Sequence, residues 1–126
     1  MNFVTLEDMN NCIYRNLKKI PRNIDLVVGI PRSGMLPANI IALYLNLPFT
    51  DIDSFLDNRK LKVGNTRKCE GWISMPHEAK KVLIVDDSIS SGKAIRQVKD
   101  DIKKCDIESD CIFLAVYALE VNLLMV

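Results

Sequence analysis

The sequence predicts an α/β fold: an open, mainly parallel, twisted sheet with helices on both faces. Short apolar runs rich in β-branched residues alternate along the chain with segments of helical periodicity. The runs are apolar at successive positions, which is typical of strands that are buried on both faces of a parallel sheet. A chain of 126 residues fits one domain, so we expect residues 1–126 to form a single unit.

An amphipathic helix over residues 5–20 is the first predicted element. Apolar residues recur in it at helical spacing, and Asp8 follows Thr5 as in a weak capping box. Pro21 ends the helix. We therefore expect residues 1–21 to form an N-terminal helical segment and residues 22–118 to form the core.

A second helix lies between two buried strands in the first half of this core. Residues 25–30 form an apolar run that ends at Pro31, and residues 48–53 form another. Residues 35–46 are apolar almost all round, so we predict a well-buried helix whose Pro37 falls in the first turn.

The second half begins with a segment of different character. Residues 54–80 are rich in lysine and arginine and are interrupted by glycine and asparagine, which favours a long, mobile, basic loop. Lys81–Asp86 is the clearest strand of the chain. A helix over residues 91–105 and a buried strand over residues 111–118 complete the predicted order.

Composition excludes several classes of protein. Lys plus Arg number 17 and Asp plus Glu number 16, so the net charge of +1 argues against nucleic-acid binding by bulk charge. No apolar run is long enough for a membrane span, and no secretory signal pattern is present at the start. Four cysteines without CxxC spacing, beside a single histidine, disfavour a zinc site and are typical of reduced thiols in a cytoplasmic protein.

Residues 82–94 carry the strongest chemical signal. Asp86 and Asp87 stand at the carboxyl end of a predicted strand, where ligands bind in open α/β sheets. A serine- and glycine-rich turn follows and opens a helix, which directs backbone N–H groups at an anion. Gly92 allows close approach of a phosphate, and Ser88, Ser90 and Ser91 add hydroxyl donors. A ligand with a phosphate and vicinal hydroxyls, such as a ribose 5-phosphate group, would satisfy both halves.

A receiver domain or a Walker A loop fits residues 82–94 less well. A two-component receiver domain carries an acidic pair on its first strand, whereas this pair lies late in the chain. A Walker A loop requires a serine or threonine after Gly92-Lys93, and Ala94 stands there. A purely structural strand–turn–helix remains open, although such turns do not usually need two carboxylates and several serines.

A second motif covers residues 28–37. It places an arginine, Arg32, and the backbone of Ser33 and Gly34 at another strand-to-helix turn. Taken alone, a proline- and glycine-containing turn of this kind is as well explained by structure as by function. Its position before the acidic pair makes the functional interpretation stronger.

Together these motifs resemble the type I phosphoribosyltransferase family. Residues 82–94 match that family's signature for 5-phosphoribosyl-1-diphosphate almost position for position, and residues 28–37 are similar to its diphosphate-binding loop. The resemblance implies that Ser88, Ile89, Ser90, Ser91, Gly92, Lys93 and Ala94 hold the 5-phosphate, and that Ser33 and Gly34 offer N–H groups to diphosphate. It implies catalytic roles for Asp86, Asp87 and Arg32, with the two aspartates also holding Mg²⁺. It also implies a non-proline cis peptide in the diphosphate loop.

The resemblance further implies a function and its partners. The expected reaction transfers the phosphoribosyl group to a nitrogenous base and releases diphosphate, in a protein that binds neither membrane nor nucleic acid and forms a homodimer. Basic residues of the 54–80 loop, namely Lys60, Lys62, Arg67 and Lys68, are candidate contacts to the diphosphate. Ser90 stands where the family's enzymes for 6-oxopurines usually have an aspartate. Family members usually also have a C-terminal hood, a segment that helps recognise the base, and here we expect it to be reduced or missing. The alternative is a non-catalytic regulator that binds phosphoribosyl diphosphate on the same fold.

Overall fold

A computed structural model describes residues 5–62, 71–87 and 92–116. The helices are α1 (Leu6–Arg15), α2 (Met35–Leu45), α3 (Ile52–Leu56) and α4 (Lys93–Lys104), and single 3₁₀ turns cover Leu17–Lys19 and Pro76–Glu78. The strands are β1 (Leu26–Gly29), β2 (Phe49–Asp51), β3 (Lys81–Asp86) and β4 (Asp110–Ala115). Within these ranges, no helix has the length and apolarity that a bilayer crossing needs.

The strands form one sheet in the order β2-β1-β3-β4, and every neighbouring pair is parallel. Val28 of β1 lies opposite Thr50 of β2 on one side and Ile84 of β3 on the other. The predicted parallel sheet is therefore confirmed. Its two central strands, β1 and β3, are those that carry the two motifs at their carboxyl ends.

Alternate residues of the central strands supply two cores, one on each face. Val27, Leu83 and Leu114 pack in a cluster with Ile13 of α1 and Ile41 of α2. The opposite face packs in a second cluster against α3 and α4, with members Leu26, Val28, Val82, Ile84, Phe113, Phe55 and Ile95. Strands that are buried on both faces explain why the runs are apolar at successive positions.

The helices that follow β1 and β3 pack on opposite faces of the sheet. Helix α2, which follows β1, covers the face that α1 also covers, whereas α4, which follows β3, covers the other face. A crevice forms at such a switch point in open α/β sheets, at the carboxyl ends of the two strands. The sheet topology therefore places both motifs at the edges of one crevice.

The first helix is shorter than predicted because of Asn16. Thr5 caps α1 as expected, since its Oγ1 accepts a hydrogen bond of 3.1 Å from Asp8 N. The buried Asn16 side chain donates from Nδ2 to Cys12 O at 2.7 Å and so takes a carbonyl of the helix. A side chain that competes in this way favours termination, and the chain continues as a 3₁₀ turn after Arg15.

Helix α2 is less buried than its composition predicts, so that expectation is wrong. Leu36, Leu43 and Tyr44 are exposed although the helix contains no charged residue. Among the described residues, those of the sheet and of α1 cover one side of α2. The helix therefore presents an apolar side that the described part of the chain leaves open.

The segment predicted as one loop over residues 54–80 contains regular structure at both ends. Helix α3 overlaps its start, and Phe55 in that helix is fully buried. Leu61 and Ala79 are also buried, on either side of residues 63–70, which lie outside the described residues. The segment's average polarity conceals these isolated apolar anchors, while its predicted mobility stays a prediction. The end of the strand predicted over 111–118, from residue 117, and the C-terminal hood also lie outside the described residues.

Candidate active site

The two motifs are in direct contact at the carboxyl edge of the sheet. Ile30 N, just past β1, donates a hydrogen bond of 2.9 Å to Val85 O in β3. A Cβ built on Gly34 would lie 2.6 Å from that same Val85 oxygen and 3.0 Å from the Cα of Asp86. Only a residue without a side chain fits here. The glycine therefore lets the loop between β1 and α2 (residues 30–34, the arginine loop) lie against the strand that carries the acidic pair.

The loop between β1 and α2 contains a cis peptide bond between Pro31 and Arg32. This is the bond that the family resemblance implies for a diphosphate loop. Arg32 and Ser33 are exposed beside it, so their polar groups are accessible to a ligand. A guanidinium in this position is suited to forked hydrogen bonds with phosphate oxygens.

The predicted role of Gly34 needs a correction. Its N–H already donates to Ile30 O at 2.9 Å, closing the turn ahead of α2. That N–H is therefore already hydrogen-bonded in this structure and does not face an anion. Gly34 instead allows its loop to pack closely against the backbone of β3. Gly29, which the sequence analysis did not single out, has a similar role: a Cβ there would lie 2.9 Å from Met35 Sδ. Its position where β1 meets α2 is the signal that could have identified it.

The acidic pair ends β3. Asp86 is its last residue and is half-buried, and its Oδ1 accepts a hydrogen bond of 2.8 Å from Asp87 N. Burial, with a smaller contribution from the Asp87 carboxyl group, raises the pKa of Asp86 to about 6 against the opposing effect of that N–H. The Asp86 carboxylate therefore lacks a full set of stabilising partners in the ligand-free protein, and hydroxyl donors or a cation would stabilise it.

The acidic pair is the candidate site for a cation. Across residues 5–62, 71–87 and 92–116, no cluster of three or more His, Cys, Asp or Glu side chains is present. Mg²⁺ commonly takes one or two carboxylates and completes its shell with water and ligand phosphates, so the carboxylates of Asp86 and Asp87 fit this cation.

The turn after the acidic pair is described only at its ends. Ser88, Ile89, Ser90 and Ser91 lie outside the described residues, so their predicted contacts with a phosphate stay predictions. Gly92 precedes α4 in the left-handed conformation, with φ of +71°. The first backbone bond of the helix runs from Arg96 N to Gly92 O at 3.0 Å.

The start of α4 has the character expected of an anion site. Lys93 and Ala94 are the first two residues of the helix, and both are exposed. The positive end of the helix dipole lies at the same place. Arg96 was not predicted to contribute, yet its Nη1 lies 3.1 Å from where a Cβ of Gly92 would stand. A basic residue one turn into the helix that follows the serine-rich turn is the sequence feature that could have identified Arg96.

A cavity of about 340 Å³ opens at the carboxyl end of β2, beside the first residue of α2. Asp51 and Ser54 line it together with Lys60 and Lys62. Although burial by itself would raise the pKa of Asp51, hydrogen bonds from Ser54 N at 3.1 Å and Ser54 Oγ at 2.7 Å hold it below its ordinary value. The sequence analysis missed Asp51, although the carboxyl ends of parallel strands share one edge of a sheet.

Lys60 and Lys62 are the described members of the predicted basic contacts. Both are exposed, and both lie on the wall of this cavity. The buried Leu61 between them donates from its N–H to Ser74 O at 2.9 Å, which ties the two sides of the segment together. Arg67 and Lys68 lie outside the described residues.

Comparison with known proteins agrees with this arrangement. Residues 6–120 match the model of the phosphoribosyl transferase domain, and the chain belongs to that family. A purine phosphoribosyltransferase from Pyrococcus horikoshii Ot3 has a similar structure, with a TM-score of 0.59 over 90% of this chain and 74% of that chain. The identity of 17% makes this a likeness of fold.

Two curated relatives are more similar in sequence. The transcriptional regulator GfcR of Methanococcoides burtonii is 30% identical over 92 residues, which is 73% of this chain and 44% of the relative. An amidophosphoribosyltransferase of Lachancea kluyveri is 30% identical over 94 residues, which is 66% of this chain and 18% of the relative. The chain thus spans less than half the length of either relative.

Proposed function

We propose that this protein is an enzyme that uses 5-phosphoribosyl-1-diphosphate and Mg²⁺ to transfer the phosphoribosyl group to a nitrogenous base, with release of diphosphate. The observation that carries the proposal is the contact between the two loops at the carboxyl ends of β1 and β3. Gly34 of the arginine loop lies against the backbone at Val85 and Asp86. A ligand with phosphate groups at both ends of a sugar would span the two loops.

The roles of the residues follow from their positions. The start of α4, beginning at Gly92, would bind the 5-phosphate through backbone N–H groups. Asp86 and Asp87 would accept hydrogen bonds from the ribose hydroxyls, and Arg32 would bind the diphosphate as a fork. The three groups would thereby hold the sugar between the two loops.

The carboxylates of Asp86 and Asp87 would also hold Mg²⁺, directly or through water. When bound, the cation would neutralise negative charge on the departing diphosphate. The raised pKa of Asp86, about 6, supports this assignment because it indicates a carboxylate whose negative charge is poorly compensated in the free protein.

In the proposed reaction the bond between C1 and the diphosphate oxygen breaks, and its electron pair leaves with diphosphate. A bond forms between C1 and a nitrogen of the base, and that nitrogen gives its proton to water. A transition state of this kind carries positive charge on the sugar, as in other glycosyl transfers. Asp86 and Asp87 would stabilise this charge, while Arg32 would stabilise the departing diphosphate; positioning and electrostatics account for the rate.

A second function is favoured by one specific observation. Of the two curated relatives, the one that covers more of this chain is a transcriptional regulator. A regulator that binds phosphoribosyl diphosphate without turning it over would use the same loops for binding. The two candidate functions differ in whether diphosphate is released, because both require the ligand to bind.

The deciding experiment measures diphosphate release from phosphoribosyl diphosphate with Mg²⁺ and a panel of purine, pyrimidine and orotate acceptors. The enzyme proposal expects release that depends on one class of acceptor and is lost in Asp86→Asn. Binding of the sugar diphosphate without release for any acceptor would contradict it and support the regulator. Asp100→Asn, an exposed change in α4, is the matched control.

A further inference from the structure

Two cavities lie along the outer side of β2, which is the edge strand of the described sheet. The cavity of about 340 Å³ described above opens at the carboxyl end of β2. A second cavity, of about 200 Å³, lies between the later turns of α2 and Trp72. Phe49 and Lys62 line both cavities, so the two adjoin and form one groove, here called the β2 groove. Its size is within the range of small-molecule sites, roughly 300–1,000 Å³.

One end of the β2 groove is suited to a planar ring. Trp72 is half-buried there, and Leu43, Pro48 and Phe49 supply other apolar surface of the same cavity. Indole rings stack on nucleobases of any sequence, because every base has a flat π face. The exposed amide of Asn39 lines the same cavity and can both donate and accept a hydrogen bond at the edge of such a ring.

The other end of the β2 groove is suited to an anion. Arg59, Lys60 and Lys62 line it, and Arg59 is already paired with Asp57 at 2.6 Å. The charge available to a ligand there therefore comes mainly from the two lysines, whose ammonium groups are point-charge donors for phosphate. The buried Leu61 between them anchors this stretch of chain, so both lysines start from a fixed backbone.

Asp51 gives the groove one negative group. Hydrogen bonds from Ser54 overcome the effect of burial and hold the pKa of Asp51 below its ordinary value. An ionised carboxylate accepts hydrogen bonds from hydroxyl groups and repels phosphate. The groove therefore suits a ligand that carries hydroxyl groups as well as a ring and an anion.

We propose that the β2 groove binds a nucleoside monophosphate, with its base between Trp72 and α2 and its phosphate at Lys60 and Lys62. The ribose hydroxyl groups are the donors that suit Asp51. The groove is separate from the acidic pair, because β1 lies between β2 and β3 in the sheet. Two strand spacings amount to roughly 10 Å.

A nucleotide in the groove would also affect the crevice, a consequence that rests on the proposed function. Lys60 and Lys62 are candidate contacts to the diphosphate, and lysines that bind the nucleotide phosphate are not available to it. The nucleotide should therefore weaken the binding of phosphoribosyl diphosphate, and the sugar diphosphate should weaken the binding of the nucleotide by the same factor.

The test uses the fluorescence of Trp72, the only tryptophan of the chain. The full chain is titrated with adenosine 5′-monophosphate and with uridine 5′-monophosphate, in the absence of phosphoribosyl diphosphate. We expect saturable quenching by at least one of them. The matching nucleoside, which lacks the phosphate, and ribose 5-phosphate, which lacks the base, should each bind at least about tenfold more weakly.

Two lysine variants test the charged end of the groove. Lys62→Ala should raise the nucleotide Kd by about tenfold or more, the value of one charged hydrogen bond. Lys104→Ala removes the same charge at the last residue of α4 and should leave the Kd unchanged. Circular dichroism verifies that each variant folds, and Lys60→Ala decides if Lys62→Ala does not. Equal affinity in the wild type and the folded variant would overturn the proposal.

The double variant Asp86→Asn, Asp87→Asn separates the groove from the crevice. Quenching should persist in it with an unchanged Kd, because neither aspartate lines the groove. The same result is expected even if the protein releases no diphosphate with any acceptor. Loss of binding in the double variant would place the nucleotide in the crevice and overturn the proposal. Binding of neither nucleotide, or binding of ribose 5-phosphate as tightly as the nucleotide, would overturn it as well.

Discussion

The Cα of Gly34 lies so close to the backbone of Val85 that an added Cβ would stand 2.6 Å from the Val85 carbonyl oxygen. This contact joins the loop after β1 to the end of β3. It depends on Gly34 having no side chain, since the atoms that it would meet belong to the backbone and cannot move aside. The arrangement of the candidate active site therefore begins with a packing requirement.

The first prediction concerns that contact. Gly34→Ala should lower the free energy of unfolding by about 2–3 kcal/mol, because the new methyl group overlaps two carbonyl oxygens. Gly71→Ala is the matched control: a Cβ there meets no atom within 4 Å, and only its φ of +91° opposes the change. We expect about 1 kcal/mol for the control. Urea denaturation measures both, and equal losses would show that the contact at Val85 is not tight.

The second prediction concerns Arg32. Arg32→Ala should weaken binding of phosphoribosyl diphosphate by about tenfold to a hundredfold, the value of one or two charged hydrogen bonds. It should leave the affinity for ribose 5-phosphate unchanged, because that ligand has no diphosphate. Arg22→Ala, an exposed change ahead of β1 at the opposite edge of the sheet, is the control. If a titration showed equal losses of affinity for both ligands, Arg32 would not be the residue that binds the diphosphate.

The third prediction concerns Gly92 at the start of α4. Gly92→Val and Gly92→Asn should both weaken phosphate binding by at least about tenfold if a side chain obstructs the anion. Asparagine tolerates a φ of +71° better than valine, so Gly92→Asn should be the more stable of the two in thermal melts. Normal phosphate affinity in Gly92→Asn would show that the site requires the positive φ of residue 92 rather than the absence of a side chain there.

The fourth prediction is a pH dependence of stability. The pKa of Asp86 is about 6 in the folded chain, above its ordinary value of 3.8, chiefly because of burial. The folded state therefore binds the proton more tightly than the unfolded state, and the ionised carboxylate destabilises the protein above pH 6. Asp86→Asn keeps an acceptor for Asp87 N and removes the charge.

The Asp86→Asn variant should be more stable than the wild type at pH 8 by about 1 kcal/mol, a value reduced for the half-exposed position of the group. The advantage should shrink as the pH falls through 6 and disappear near the ordinary pKa of 3.8. Urea denaturation at a series of pH values measures it. An advantage that stays constant over the whole range would show that the carboxylate is not the cause.

The strands and the position of both motifs could be predicted because their signal is local. Lys81–Asp86 is apolar at successive positions, and its predicted bounds agree with the structure. Helix α3 was missed because one buried aromatic residue, Phe55, anchors an otherwise polar segment. Average composition over a long window does not reveal such an anchor.

The features that could not be predicted depend on long-range contacts. The sequence shows that Gly34 lies in a turn. It does not show that the Gly34 N–H donates to Ile30 O, because that hydrogen bond forms only in the folded loop. The exposure of Leu43 could not be predicted because the apolar character of α2 does not say what covers its outer side. Asp51 joins the crevice edge only through the pairing of β1 with β2.

Calorimetric titration with phosphoribosyl diphosphate, with and without Mg²⁺, tests whether the crevice between β1 and β3 is the ligand site. The titration compares the wild type with the double variant Asp86→Asn, Asp87→Asn. We expect Mg²⁺-dependent binding in the wild type and a loss of about a hundredfold or more in the double variant, since each charged hydrogen bond contributes roughly 1.5–3 kcal/mol. Circular dichroism should show that the variant keeps its fold. Binding of equal affinity in the two proteins would contradict the assignment of this crevice as the ligand site.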